Sequence, residues 1–436
     1  MILAAAGAPW WLWGLAGVGL VAVAAVLITL FVALGSRPPR LEVRGEASVA
    51  SEDFLPAFTG AVGSPAVTGG TVEGLENGAE ILPAILREIA AARETVHFLT
   101  YIWEPGEVAT RVWDALVERA AAGVQVRLLL DGVGGFNAEE DRIRELRTAG
   151  GQVERFRPPR FGKLTRIHRR NHRRAIVIDG RVAFTGGWAV GDEWQGGGRA
   201  PGEWRESMYR VTGPLALSLQ SAFAQSWMPT TGEVLYGKQF YPPSAAAEDG
   251  GDATLRHVSV VSAPTDEAHP MRKAFFLSMA GTRERLWIAN AYFAPDRHLR
   301  ATMRARARAG TDVRIILPSR QTDMRSVWYA GRSYYEELIA DGVRIFEYQP
   351  SHMHRKVLVA DGRWTVIGSA NLDIRSKELN EENVLGVMDE GLGRAVEKTI
   401  LEDLEHSTEI DLERWRRRGL WPRLKERFFV LFAEQM

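Results

Sequence analysis

His354-Arg355-Lys356-Val357-Leu358-Val359-Ala360-Asp361, followed by Gly368-Ser369-Ala370-Asn371, is the stretch on which the fold turns. The apolar run from Val357 to Ala360 reads as a buried strand that ends at Asp361. Alternation along a strand sends residues two apart to one face, so His354 and Lys356 can point at one ligand. The turn that follows adds the Ser369 hydroxyl and the Asn371 amide. An imidazole, a cation and neutral donors are the set that a phosphate oxyanion needs.

The stretch occurs twice. His172-Arg173-Arg174-Ala175-Ile176-Val177-Ile178-Asp179 repeats the spacing, and Gly186-Gly187 falls where Gly368-Ser369 falls. The copies are offset by 182 residues at His (172 to 354), at Asp (179 to 361) and at Gly (186 to 368). His168 and His352 fail this register, because positions 175 and 359 hold Ala and Val. A lone histidine beside a cation on a strand is ordinarily a surface or satisfied side chain. Two copies at matched spacing, each with its Asp and glycine turn, point instead to chemistry.

Working outward, each half has the same run of elements. A strand at 96–101 leads to a helix over 108–122 and a strand at 126–131; a strand at 286–292 leads to a helix over 297–309 and a strand at 313–317. Each half adds a further helix and a short strand, at 153–156 and 343–346. Near-continuous apolar strands alternating with helices predict a duplicated α/β fold with mostly parallel central sheets. The expected organisation is an anchor at 1–35, a linker and lead-in at 36–79, and a first domain at 80–235. An inter-domain linker at 236–268, a second domain at 269–410 and a C-terminal amphipathic segment at 411–436 complete it.

Composition bounds the rest. The 436 residues carry 54 Lys and Arg against 54 Asp and Glu, so any electrostatic argument is local and nucleic acid is not an expected partner. Cysteine is absent, which excludes disulfides, thiolate metal sites and cysteine nucleophiles. Residues 10–34 run without a charge; as a helix they would span ~37 Å, enough for a bilayer core. The long run and missing basic n-region favour a membrane anchor over a cleaved signal. Arg37, Arg40 and Arg44 follow it and favour a cytoplasmic body. Residues 155–174 hold nine Arg or Lys and no acid, either a rim for anionic headgroups or a solvated loop. In the C-terminal segment Trp421, Leu424, Phe428 and Leu431 recur at helical spacing. That reads either as an interfacial helix or as a helix packed on the body.

The doubled His-x-Lys-x4-Asp-x6-Gly-Ser-x-Asn pattern resembles the phospholipase D superfamily, and most closely its bacterial cardiolipin synthase branch. Supporting segments are Tyr292-Phe293-Ala294-Pro295-Asp296, Gly368 to Ser376, Leu379 to Asn383, and Phe184-Thr185-Gly186-Gly187 with Asp192-Glu193-Trp194. The resemblance covers roughly residues 80–410 and implies a site between the two domains. One histidine would attack phosphorus and form a phosphohistidine while the other works as acid and base, with no metal or other cofactor. By analogy His172 is the nucleophile and His354 the acid/base, though the duplication alone leaves the reverse open. Lys356, Arg174, Gly187, Ser369 and Asn371 would bind the phosphoryl group. Asp179 and Asp361 belong to the motif with less weight than the histidines. Glu206 and Glu382 occupy matching positions after each motif and are candidate histidine partners across the site.

The first copy departs from the pattern. Arg174 stands for Lys, Ala189 for Asn and Gly187 for Ser, so a phosphate donor is lost. The expected activity is phosphatidyl transfer between phospholipids, phosphatidylglycerol foremost, by a monomer in the bacterial cell membrane. Two alternatives stand beside it: a hydrolase or nuclease of the same superfamily, and a non-catalytic lipid-binding protein.

Overall fold

Each repeated motif builds a hairpin. The strands Ala175–Ile178 and Val182–Gly186 are joined through Asp179-Gly180, at φ of 53° and 62°; Lys356–Ala360 and Trp364–Gly368 are joined through Asp361-Gly362, at 52° and 64°. Consecutive left-handed residues suit an Asp-Gly turn, and so short a connection forces its strands antiparallel.

The computed structural model describes residues 41–430 except 160–168, 244–253 and 265–268, with a few positions between 13 and 20. The anchor expected at 10–34 lies almost wholly outside the described residues. Among those described, no helix is long and apolar enough to cross a membrane. From Val43 onward the chain is one compact unit built on two sheets.

The first sheet has seven strands, in the order Val72–Glu76, Ser207–Thr212, Val182–Gly186, Ala175–Ile178, Thr95–Thr100, Gln125–Asp131, Gln152–Phe156. The second has nine: Ala66–Thr68, Arg256–Ser262, Glu382–Met388, Trp364–Gly368, Lys356–Ala360, Arg285–Asn290, Asp312–Pro318, Arg344–Tyr348, Ser407–Glu409. Remove its two edge strands and the orders coincide. In each sheet only two neighbouring pairs are parallel, those with a helix packed into the crossover, such as Thr95–Thr100 with Gln125–Asp131. The sheets are therefore mixed, not mostly parallel. Apolar continuity signals burial on both faces, and that holds for antiparallel strands covered on both sides as well.

The lead-in carries structure of its own. The helix Phe54–Val62 packs Phe54 and Phe58 against Trp364 of the second sheet, with ring centroids at 5.1 and 4.8 Å. Ala66–Thr68 extends the second sheet and Val72–Glu76 edges the first. Arg256–Ser262, within the stretch read as an inter-domain linker, is an inner strand of the second sheet.

One buried cluster draws side chains from both sheets (Val177 and Tyr209; Val357 and Leu385) and from the helices Pro214–Thr231 and Glu390–Glu405. Burial of this kind contributes about 25 cal/mol per Å² of apolar surface. Buried charge joins the halves as well. Asp403 accepts from Arg205 Nε at 2.6 Å and from Arg355 Nη1 at 2.5 Å, and Glu76 completes the group against Arg205.

Candidate active site

The chain entering each motif hairpin is clamped by the opposite half. The His172 N–H donates to Glu381 O, and the Glu381 N–H returns a bond to Arg170 O, both at 2.8 Å. On the other side His352–Met353 pairs in parallel with Trp204–Arg205, and the His354 N–H donates to Arg205 O at 2.8 Å. In both cases the next residue of the clamping strand is the glutamate that holds the histidine. His172 Nδ1 lies 3.0 Å from Glu382 Oε1, and His354 Nδ1 lies 2.5 Å from Glu206 Oε2. The candidate partners thus pair crosswise, each histidine with a carboxylate from the other half.

A carboxylate at Nδ1 keeps the imidazole proton there and leaves the Nε2 lone pair free. All four side chains are buried. Burial drives both imidazoles well below their ordinary value, helped by Arg174 and Lys356 at His172 and by Lys356 and His352 at His354. The same burial raises both carboxyls, opposed by Lys356 at Glu206 and by the Ser369 and Ser376 hydroxyls at Glu382. Desolvation therefore favours the uncharged form of both partners in each pair.

Two cations face these pairs. Lys356 Nζ lies 3.2 Å from His354 Nε2 and 2.6 Å from His354 O. Burial lowers its pKa to about 8. Arg174 spends Nε on Trp188 O at 3.2 Å and Nη1 on His172 O at 2.8 Å. Its Nη2 is buried with no partner among the described residues. Burial lowers the guanidinium only to about 10, so it stays charged at neutral pH. The Arg174 backbone is held from across the site, its N–H donating to Asn383 Oδ1 at 2.8 Å.

The remaining motif residues divide. Ser369 Oγ donates to Glu382 and accepts from the Asn383 N–H, so its hydroxyl holds the carboxylate. Gly187 makes room for the other carboxylate: a Cβ there would stand 2.3 Å from Glu206 Oε2. Asn371 follows the Ser369 turn, and its Oδ1 is buried without a partner among the described residues. Asp179 and Asp361 do not join the histidines. They sit at the far ends of their strands, where Asp179 accepts from the N–H groups of Arg93, Glu94 and Thr95 at 2.8–2.9 Å. Asp361 does the same for Arg283, Glu284 and Arg285. Each aspartate closes its hairpin in the left-handed region and turns its carboxylate to the loop that opens the neighbouring strand, Thr95–Thr100 or Arg285–Asn290.

An aromatic wall completes the site. Tyr101 lies 5.0 Å from the His172 ring; Trp204 and Trp194 lie 4.8 and 5.5 Å from His354. His352, set aside by register, is 5.5 Å from His354 and 3.3 Å from Asp323, which also accepts from the Tyr292 hydroxyl at 2.6 Å. Period-two alternation could have found Trp204 and His352, since each stands two residues before a site residue in extended chain. Tyr101 had no such signal.

Known proteins resemble the chain along both halves. The family model described as "Cardiolipin synthase, PLD-like domain" matches residues 85–191 and 277–404, one stretch around each histidine. Cardiolipin synthase 2 of Bacillus anthracis is 36% identical over 361 residues, covering 82% of this chain and 69% of that protein. Cardiolipin synthase of Geobacillus kaustophilus is 35% identical over 355 residues, covering 81% and 70%. The phosphatidylserine synthase of Haemophilus influenzae shares the fold, with a TM-score of 0.64 at 14% identity over 88% of this chain and 98% of that one. The fold and the paired motifs define a phospholipase D-like enzyme. More narrowly, the chain belongs to the PLD-like cardiolipin synthase family.

Proposed function

We propose that the chain is a membrane-anchored phosphatidyltransferase that joins two phosphatidylglycerols and releases glycerol. His172, its Nε2 lone pair free, attacks phosphorus, and a phosphorus–nitrogen bond forms as the bond to the headgroup glycerol breaks. His354 takes up a proton from solvent as the incoming phosphodiester anion opposes the effect of its burial, and it gives that proton to the leaving oxygen. A hydroxyl of a second phosphatidylglycerol then gives its proton to His354 and attacks the phosphohistidine. The phosphorus–nitrogen bond breaks, and His172 is restored. Lys356 and the open Nη2 of Arg174 pair with the phosphoryl oxygens, whose charge grows at each transition state. Glu382 and Glu206 hold the two rings and steady each imidazolium as it forms.

The observation that carries this reading is the crossed pairing of two buried histidines with two buried glutamates, with two cations beside them. A single chain supplies every part, which supports action as a monomer. The apolar run at 10–34 supports single-pass anchoring, and the arginines after it support a cytoplasmic body. Incubation of the purified protein with labelled phosphatidylglycerol tests the reading. Cardiolipin and glycerol in equal amounts are expected. Phosphatidic acid as the main product would make water the acceptor, and no turnover would refute the reading.

A further inference from the structure

The helix Leu420–Val430 is held to the body through Glu426 and Phe429. Glu426, 4% exposed, pairs with Arg418 and Arg332, and Phe429 stacks on Tyr329 at 5.4 Å. At about 100° per residue, Leu420, Trp421, Leu424 and Phe428 fall opposite Glu426. They are 76, 74, 55 and 55% exposed. Arg423 and Arg427 flank this row on one side and Lys425 on the other. A helix that turns a carboxylate inward and tryptophan and leucine outward is arranged for a surface other than water.

The helix that carries the row is tied to the candidate site through one neighbour. Its helix packs on Arg325–Arg332, and the loop leading into that helix carries Asp323, the partner of His352 and Tyr292. The corresponding loop of the first half follows Gln125–Asp131, and there Phe136 is 71% exposed. That loop is pinned beside the site: Asp131 accepts from the N–H groups of Val133 and Asn171 at 2.8 Å, and Gly134 lies against Tyr101. Each half therefore carries exposed apolar side chains on an element linked to the histidine end of its sheet.

We infer that these elements dock on an anionic bilayer. Leu420, Trp421 and Leu424 from one half and Phe136 from the other enter the headgroup boundary, while Arg423, Lys425 and Arg427 pair with lipid phosphates. The cationic margin around an apolar row identifies the occupant by charge complementarity. Docking there turns the histidines toward the lipid, and the inference rests on phosphatidyl transfer only for the choice of lipid.

The absence of cysteine allows a clean test. Single nitroxide labels are placed on the full chain at Leu424→Cys, Phe136→Cys and Tyr236→Cys. Tyr236 is 86% exposed and follows Glu233, which pairs with Arg127 near the opposite end of its strand. In vesicles of equal phosphatidylglycerol and phosphatidylcholine, the labels at 424 and 136 should be shielded from an aqueous nickel relaxant about fivefold or more relative to 236. Either label as accessible as that at 236 overturns the docking face. In phosphatidylcholine alone, shielding at 424 should fall; unchanged shielding overturns the role of the cationic margin. The readout needs no turnover, so its failure and a failure to make cardiolipin are distinguishable.

Discussion

The two halves of the site place the same atoms with different side chains. In the second half a lysine sits against its histidine, and a serine holds the glutamate serving the opposite histidine. In the first half an arginine spans from Trp188 to His172, and Gly187 leaves room where that serine would stand. The arginine keeps its charge through burial; the lysine, pushed down to about 8, is poised to lose it. The geometry tolerates the exchange because the backbone clamps, not the cation, fix the histidines. One half thus keeps its charge at neutral pH, and the other carries a charge that titrates near pH 8.

Removing each histidine in turn probes the division most severely. His172→Ala and His354→Ala should each cost about 10⁴-fold or more in turnover, since nucleophilic and acid–base steps do not substitute for one another. Protein incubated for long times with phosphorus-labelled lipid and quenched in detergent without acid, since a phosphorus–nitrogen bond is acid-labile, separates them. Label should be retained on His354→Ala and absent from His172→Ala, and the opposite pattern would reverse the roles.

A second contrast concerns the arginines beside the histidines. Arg355 and Arg205 share Asp403, whereas Arg173 is held at close range by Ala222 O, Ser226 Oγ and Ser262 O, with Glu381 Oε2 farther off at 3.7 Å. Asp403→Ala takes the shared carboxylate from two buried guanidiniums, leaving Glu76 alone to balance both, and should cost about 3 kcal/mol of unfolding free energy in urea. Ser226→Ala removes one neutral acceptor and should cost about 1–2 kcal/mol. Equal losses would mean that both arginines are braced alike.

The smallest expected effect is a shift in pH dependence. Lys356 is charged below about 8 and loses its proton as pH rises through that value. The alkaline limb of kcat/KM, which reports the free enzyme, should therefore lie near pH 8. Lys356→Arg should move the limb upward by about one unit or more, because a guanidinium holds its proton far longer. An unmoved limb would assign it to another group.

Much of the site was legible because it is written in register. The constant offset selected His172 and His354, and the matched segments Glu206 to Val211 and Glu382 to Val387 selected the glutamates. The partnership of each glutamate was not legible, because that depends on how the halves face one another. Strand direction was misjudged for a local reason: Asp179-Gly180 and Asp361-Gly362 are hairpin signals, and apolar continuity outweighed them. The aspartates looked functional because they repeat, yet repetition of a fold repeats its structural turns as faithfully as its chemistry. Tyr101 was invisible, since only tertiary packing brings it to His172.

The crossed pairs carry a consequence for how such a chain can diverge. A solitary copy of the motif would leave its histidine without a carboxylate. It could be completed only by a twin arranged about a two-fold axis, every change made in one appearing in both. Joining the copies in one polypeptide removes that symmetry constraint while preserving mutual dependence. Arg174 and Gly187 are the marks of such release: each half has drifted in its own direction, yet neither can drift far enough to abandon the other's histidine.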